Sequence, residues 1–290
     1  MEQFLHQFFA GLATGGIYAS IALALVMIYR ATHHINFAQG EMATLSTYGA
    51  LTLVTVGLPY WVAFAVTVIA SFVLGVAIER LIIRRMEKAP PMASIIVMLG
   101  LLILINSMVA LIYGGNVTTF PSPFPSRPPG GIHLFSFHEL GSTAVMLVML
   151  AMIYGFFRFT RLGLAMRASA EHPVSSRLSG IPVGRMLALG WGLAAAIGAI
   201  AGMMIAPVVF LDPNTMGNIL LYGFAAAVLG GIESPWGAAA GGFLIGVVEN
   251  LLGAYVIGTD LKLTVALIAI VATLLIRPNG LFGTTFVTRV

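Results

Sequence analysis

The residues best able to do chemistry cluster in "THHINFAQGEM" (32–42), which holds two His, one Asn, one Gln and one Glu. The flanking stretches 3–29 and 42–78 contain no Asp, Glu, Lys or Arg. In so apolar a setting Asn36, Gln39 and Glu41 are candidates to line a path for a polar solute. A second polar break, "AAAVLGGIESPWGAAAGG" (225–242), carries Glu233 and Ser234, and Glu249 follows within an apolar run. Ordinary interfacial turns fit both breaks as well, and a structural hydrogen bond fits Glu249. Bond-making chemistry is poorly supported. HExxH and GxSxG do not occur, and adjacent His33 and His34 are a poor metal pair on one helix. With no Cys, disulfides and thiolate sites are excluded, and we expect neither a metal site nor a cofactor.

The elements that must position these groups follow from composition. Of 290 residues 59% are hydrophobic and 8% charged, with a mean hydropathy of +1.00. Soluble domains carry about 25% charged residues. This chain is therefore read as an all-α membrane protein, a polytopic bundle of eight to nine segments forming one permease-like domain over 1–290. Helices are favoured over a barrel because alternating ~10-residue strands are not seen. The nine expected segments are 8–29, 39–57, 60–81, 92–113, 140–158, 185–208, 218–231, 236–257 and 262–277. The seventh is too short to cross alone. "MEQFLHQFF" lacks a basic n-region and a cleavage site, so the first segment reads as a retained span.

The basic pI near 9.6 follows topology rather than nucleic acid. Alternating the segments places Arg30, Arg80, Arg84, Arg85, Lys88, Arg158, Arg161, Arg167, Arg177, Arg185, Arg277 and Arg289 on one side. Arg127 and Lys262 fall on the other. The cation-rich side is expected to be cytoplasmic. The N-terminus is then outside, the C-terminus inside, and the Pro/Gly-rich loop 114–139 external.

Irregular backbone at membrane depth persists only where protein or a water-filled cavity shelters it. Pro235 disfavours helix continuation, so the late break predicts a discontinuous or re-entrant pair. One such break in each half is a pattern of repeat-built transporters. The 33 Gly supply small-residue surfaces for close helix packing, and the 15 Met read as packing too.

Residues 158–185, "RFTRLGLAMRASAEHPVSSRLSGIPVGR", form the most polar cytoplasmic stretch. The spacing predicts a short helix with Pro173 near N1 and Gly180 near its C-terminal cap. Val174 and Leu178 share one face of it. Such a helix suits docking a partner; a charged topology loop is the alternative.

Several motifs taken together resemble one family. "RLGLAMRASAEHPVSSRLSGIPVGRMLALGWGLAAAIGAIAGMM" (161–204), "INFAQGE" (35–41), "VLGGIES" and "IRPNGLFG" are similar, in order, to branched-chain amino acid ABC permeases of the LivH type. The resemblance covers nearly the whole chain. It implies a subunit of a bacterial inner-membrane importer, paired with a second permease in a heterodimer. Cytosolic ATP-binding subunits and a periplasmic substrate-binding protein complete the assembly. It also implies that 161–185 carries a coupling helix, a role placed here on Arg167, Glu171, Ser175, Leu178, Gly180 and Ile181. The chain departs from the pattern at Gln39, where His is usual. Departures also occur at Glu171–His172, at Ser175–Ser176 and at Glu233, a place often held by Gly.

No GxxxxGK[ST] loop occurs, so ATP would be bound by partner subunits rather than by this chain. The expected function is translocation of branched-chain or other hydrophobic amino acids by alternating access. Urea, amides and aromatic or carboxylate compounds are alternatives within the family. An ion-coupled carrier using Glu41, Glu233 and Glu249 is the rival outside it.

Overall fold

A computed structural model describes residues 2–32, 34–86, 89–125, 136–258 and 261–283. His33, Lys88, Arg127, Arg289 and the centre of the Pro/Gly-rich loop lie outside the described residues. The described residues are helical, and their one extended pairing is an isolated antiparallel bridge between Thr118 and Leu211.

In chain order the helices are α1 (Glu2–Thr32), α2 (Gln39–Thr55), α3 (Tyr60–Leu81) and α4 (Pro91–Tyr113), with a 3-10 turn at Ile83–Met86. Then come α5 (Phe137–Phe159), α6 (Arg161–Glu171), α7 (Pro173–Leu178) and α8 (Val183–Val209). The chain continues through α9 (Thr215–Gly230), α10 (Pro235–Leu252), a π turn (Gly253–Ile257) and α11 (Lys262–Ile276). Apolar helices occupy all nine expected positions. Among the described residues six stretches are long and apolar enough to cross a membrane: Glu2–Arg30, Tyr60–Met86, Met92–Tyr113, Phe137–Phe159, Val183–Val209 and Pro235–Ile257. At ~1.5 Å per residue, α2, α9 and α11 reach only about 22–26 Å, short of a ~30 Å hydrocarbon core.

Two differences from the expected segments have local causes. The first helix begins at Glu2 rather than residue 8, and Asn250 donates to the Gln7 carbonyl at 2.7 Å, holding that extra turn. The segment expected over 236–257 is α-helical only to Leu252. There the alkyl chain of Lys262 lies over Gly253, and the helix widens into the π turn.

The described chain forms two compact units. The first comprises Met1–Val26, Phe124–Thr143 and Ile219–Val290. Its seam is the contact of α1 with α10. A Cβ on Gly11 would meet the Gly246 carbonyl oxygen at 2.9 Å, and one on Gly15 would meet the Phe243 Cα at 2.9 Å. Helix α10 also packs on α9, where a Cβ on Gly241 would stand 2.9 Å from the Gly230 nitrogen. The last carbonyls of α9 accept from the tail that follows α11: Leu281 N–H donates to Leu229 O at 2.8 Å and Phe282 N–H to Gly230 O at 3.1 Å. The "RPNGLFG" stretch thus satisfies a helix end that would otherwise be orphaned. Gly280, at φ +76, is required there because an added Cβ would lie 2.5 Å from Gly231 Cα.

The second unit comprises Met27–Pro123 and Ala144–Asn218. Helix α8 is its centre: Trp191, Ala194 and Ala199 are fully buried. Gly75 lets α3 touch the α8 backbone, since a Cβ there would be 2.8 Å from Trp191 C. Outward-facing Ile103 and Leu111 on α4 are 63% and 86% exposed, a face suited to lipid rather than water.

Candidate functional site

The first polar break lies within the second unit and is almost wholly buried. Asn36 and Gln39 are 0% exposed and Glu41 is 4%. Asn36 Oδ1 accepts from Ala38 N–H at 3.0 Å, and its Nδ2 donates to Gln39 Oε1 at 3.3 Å. Gln39 Nε2 donates to the Ala194 carbonyl at 2.8 Å. These two amides shape the start of α2 and fasten it to α8. Gln39→Leu is therefore expected to lower the thermal unfolding midpoint, with a loss of about 1–3 kcal/mol for one buried amide bond.

Glu41 faces a different neighbourhood. Asn106 Nδ2 of α4 lies 3.2 Å from Glu41 Oε2, 3.1 Å from Pro213 O and 3.0 Å from Asn214 Oδ1. An amide has two N–H donors, so three acceptors compete for them. The turn bearing Asn214 is itself fixed: Asn214 N–H donates to Asp212 Oδ1 at 2.7 Å and Thr215 Oγ1 to Asp212 Oδ2 at 3.0 Å. The chain approaches closely here because Gly40 and Gly217 lack side chains. A Cβ on Gly40 would be 2.9 Å from Met216 O, and one on Gly217 would be 3.3 Å from Glu41 Oε1. The carboxylate thus rests against the first turn of α9, where negative charge is favoured.

Asn106, Asp212 and Asn214 were not among the expected site residues. Asn106 carries the one amide of α4, a polar group within an apolar span, and that was the available signal.

The second break and Glu249 belong to the first unit and are not brought together. Ser234 caps α10, accepting from Gly237 N–H at 3.1 Å, with Pro235 behind it in the first turn. Glu233 is exposed in the α9–α10 turn. Glu249 lies fifteen residues beyond Ser234 in the same helix, roughly 22 Å away. It is 5% exposed and accepts from the Tyr18 hydroxyl, while its Oε2 has no hydrogen-bond partner. Tyr18 in turn stacks on Tyr222, with centroids 4.8 Å apart.

The expected coupling residues lie on α6, α7 and the turn after it. Thr160 caps α6 through Gly163 N–H at 3.0 Å. Pro173 opens α7, as its position predicts. Gly180, at φ +81, closes it: Gly180 N–H donates to Arg177 O at 3.1 Å and Ile181 N–H to Ser176 O at 2.9 Å, a Schellman pair. Arg167, Glu171, Ser175 and Ile181 line one shallow cleft; Leu178 and Gly180 are outside its lining. Glu171 pairs with Arg30 at 2.7 Å, and Arg167 Nε is buried without a partner. Val174 and Leu178 are 71% and 86% exposed.

Residues 7–274 match the family model described as branched-chain amino acid transport system / permease component. The chain belongs to that family. The permease is 32% identical over 303 aligned residues to the Salmonella typhimurium high-affinity branched-chain amino acid transport system permease protein LivH. That alignment covers 99% of this chain and 98% of the relative. It is 31% identical to the corresponding protein BraD of Pseudomonas aeruginosa, with the same coverages. Among solved structures the permease resembles PsaBC from Streptococcus pneumoniae in complex with Fab, with a TM-score of 0.52 and 13% identity. That likeness covers 93% of this chain and 91% of the other and concerns fold alone.

Proposed function

We propose that this permease is the membrane-spanning subunit of an ABC importer that carries branched-chain or other hydrophobic amino acids into a bacterial cell across the inner membrane. The observation that carries this reading is similarity to LivH over 99% of this chain. In this reading 1–290 acts as a single permease domain with its N-terminus outside and C-terminus in the cytoplasm. Eight or nine segments enter the membrane, α9 and α10 forming a discontinuous pair. The chain pairs with a second, different permease subunit, takes solute from a periplasmic binding protein, and is driven by cytosolic ATP-binding subunits. It does no hydrolysis itself.

The geometry of the second unit supplies a mechanical route. A push on α7 is passed to α6 and to Arg30 through Glu171. Helix α6 packs on α8, and Gln39 joins α8 to α2, the helix bearing Glu41. Tilting α8 would therefore move α2 against Asn106 and the Asp212–Thr215 turn. Asn36, Gln39 and Glu41 are assigned to the translocation pathway, Gln39 as its hinge. Glu233, Ser234 and Glu249, which belong to the first unit, are separate pathway candidates. Arg167, Glu171, Ser175, Leu178, Gly180 and Ile181 form the coupling surface.

The test is uptake of labelled leucine into liposomes containing the full transporter, with urea in parallel. ATP-dependent leucine uptake is the expected result. Urea uptake alone would keep the importer and overturn the substrate. Leucine uptake that survives loss of the ATP-binding subunits but collapses with the proton gradient would overturn the importer. Glu41→Gln is expected to slow leucine uptake by roughly tenfold, the worth of one charge-assisted hydrogen bond.

A further inference from the structure

Glu41 is a buried carboxylate without a counter-ion. It is 4% exposed, and among the described residues no cation pairs with it. Buried carboxylates ordinarily have a cation or several hydrogen-bond donors. Glu41 has one side-chain donor, the neutral amide of Asn106, and that donor reaches Oε2 alone. Among the described residues Oε1 accepts no hydrogen bond. It faces Gly217, where an added Cβ would lie 3.3 Å away. The other carboxylate that acts on Glu41, Asp212, has the same sign.

The second observation is the surrounding of Asn106 Nδ2. Glu41 Oε2, Pro213 O and Asn214 Oδ1 stand 3.2, 3.1 and 3.0 Å from this one nitrogen. Two N–H bonds cannot serve three acceptors well. A primary ammonium has three N–H donors and brings the positive charge that Glu41 lacks. The three oxygens therefore suit R–NH3+ better than the amide now among them. Their spacing is that of hydrogen bonds to nitrogen, whereas a bare hard cation would draw oxygens in to about 2.0–2.6 Å.

The cluster can also be reached. Asn214 is exposed and Asn106 half-buried. Rotation of the Asn106 side chain to another staggered rotamer would vacate the position of its nitrogen.

We infer that Glu41, the Pro213 carbonyl and Asn214 form the ammonium subsite for the transported solute, and that Asn106 stands in for that ammonium while the subsite is empty. The identity of the ligand as an α-amino acid rests on the proposed function. Urea, simple amides and carboxylates bring no positive charge to Glu41, so the subsite selects against them.

The probes are leucine and 3-methylbutylamine, added to the full-length permease in phosphatidylcholine nanodiscs. Both are expected to raise the thermal unfolding midpoint saturably. Uncharged 3-methylbutanol and 4-methylpentanoate, which lack the ammonium, should leave it unmoved. Glu41→Gln is expected to weaken both ligands roughly tenfold to a hundredfold. Asn214→Ala alters an exposed turn and should weaken them several-fold with the fold intact. Asn106→Ala should lower the starting midpoint yet tighten the amine several-fold, because the competing amide is gone. Unchanged or weaker amine binding in Asn106→Ala would overturn the stand-in, since a purely structural Asn106 predicts no gain. No shift with either amine, or a shift indifferent to Glu41→Gln, overturns the subsite. A shift with 3-methylbutylamine but not with leucine would overturn its assignment to the transported amino acid. A rise produced by sodium chloride instead, and lost in Glu41→Gln, would give the site to an inorganic cation and overturn the ammonium reading. Binding is read without transport, so failure of leucine uptake would count against the proposed function alone.

Discussion

Gly246→Leu is expected to prevent accumulation of folded protein. The cause is backbone, not side chain. A Cβ at residue 246 would lie 2.5 Å from the Gly15 nitrogen and 2.6 Å from the Gly11 carbonyl oxygen. No rotamer change in a neighbour can relieve contacts with main-chain atoms. Helices α1 and α10 would have to part along their whole seam, because Gly242 four residues earlier meets the Ala19 backbone in the same way. In lipid the attraction between helices is mainly close packing, which separation forfeits. Overpacked cores usually lose about 1–3 kcal/mol, and this site belongs at or above the upper end because nothing can yield. Gly246→Ala should behave alike but less severely. Gly100→Leu is the control, since an added Cβ there meets nothing within 4 Å. The measurement is the monodisperse fraction after detergent extraction, with thermal unfolding of what remains. A Gly246→Leu protein that extracts and melts like the Gly100→Leu control would refute the seam.

How much of this was legible beforehand depends on how local each cause is. The limits of α7 could be read because both signals, Pro173 and Gly180, act within one turn of themselves. The polar character of Asn36, Gln39 and Glu41 was equally plain, because charge and amide groups stand out in an apolar chain. What they touch was not. Gln39 bonds a carbonyl 155 positions away, and no local pattern reports such a partner. Asn106 gives only a weak signal, because one amide hardly changes the apolarity of its span.

In the late break the Ser234 hydroxyl caps α10, a local task announced by its place in the sequence. A Ser directly before Pro at a helix start is itself a cap signal. Glu249 carries the stronger anomaly, a buried oxygen without a partner, but burial is a tertiary fact that sequence spacing does not encode. The terminal "IRPNGLFG" carries no local signal of its task, which is to close α9 through the sequence-distant pair Leu281 and Leu229.

Val174→Asp with Leu178→Asp is expected to abolish ATP-driven uptake while leaving the permease folded. The two side chains stand one turn apart on α7, and both are largely exposed. Replacing them should therefore change stability little, within about 0.5 kcal/mol each for open surface sites. Their cost would arise at a docking surface, where apolar anchors commonly contribute ~2 kcal/mol or more and buried unpaired carboxylates are penalised further. Two such losses predict a drop in uptake of at least roughly a hundredfold. The ion pair between Arg30 and Glu171 offers the contrast. Its partners are 27% and 58% exposed, so screening limits the pair to about 0–1 kcal/mol, and Arg30→Gln alone should reduce uptake only a few-fold. Reading both variants for leucine uptake, ATP hydrolysis and melting temperature separates the alternatives. Lost uptake with an unchanged melting temperature places the coupling contact on the apolar face of α7. Normal uptake in the double variant, together with normal uptake after Arg167→Gln and Glu171→Gln, would remove the coupling role from residues 161–185 and require the partner ATPases to engage another cytoplasmic surface.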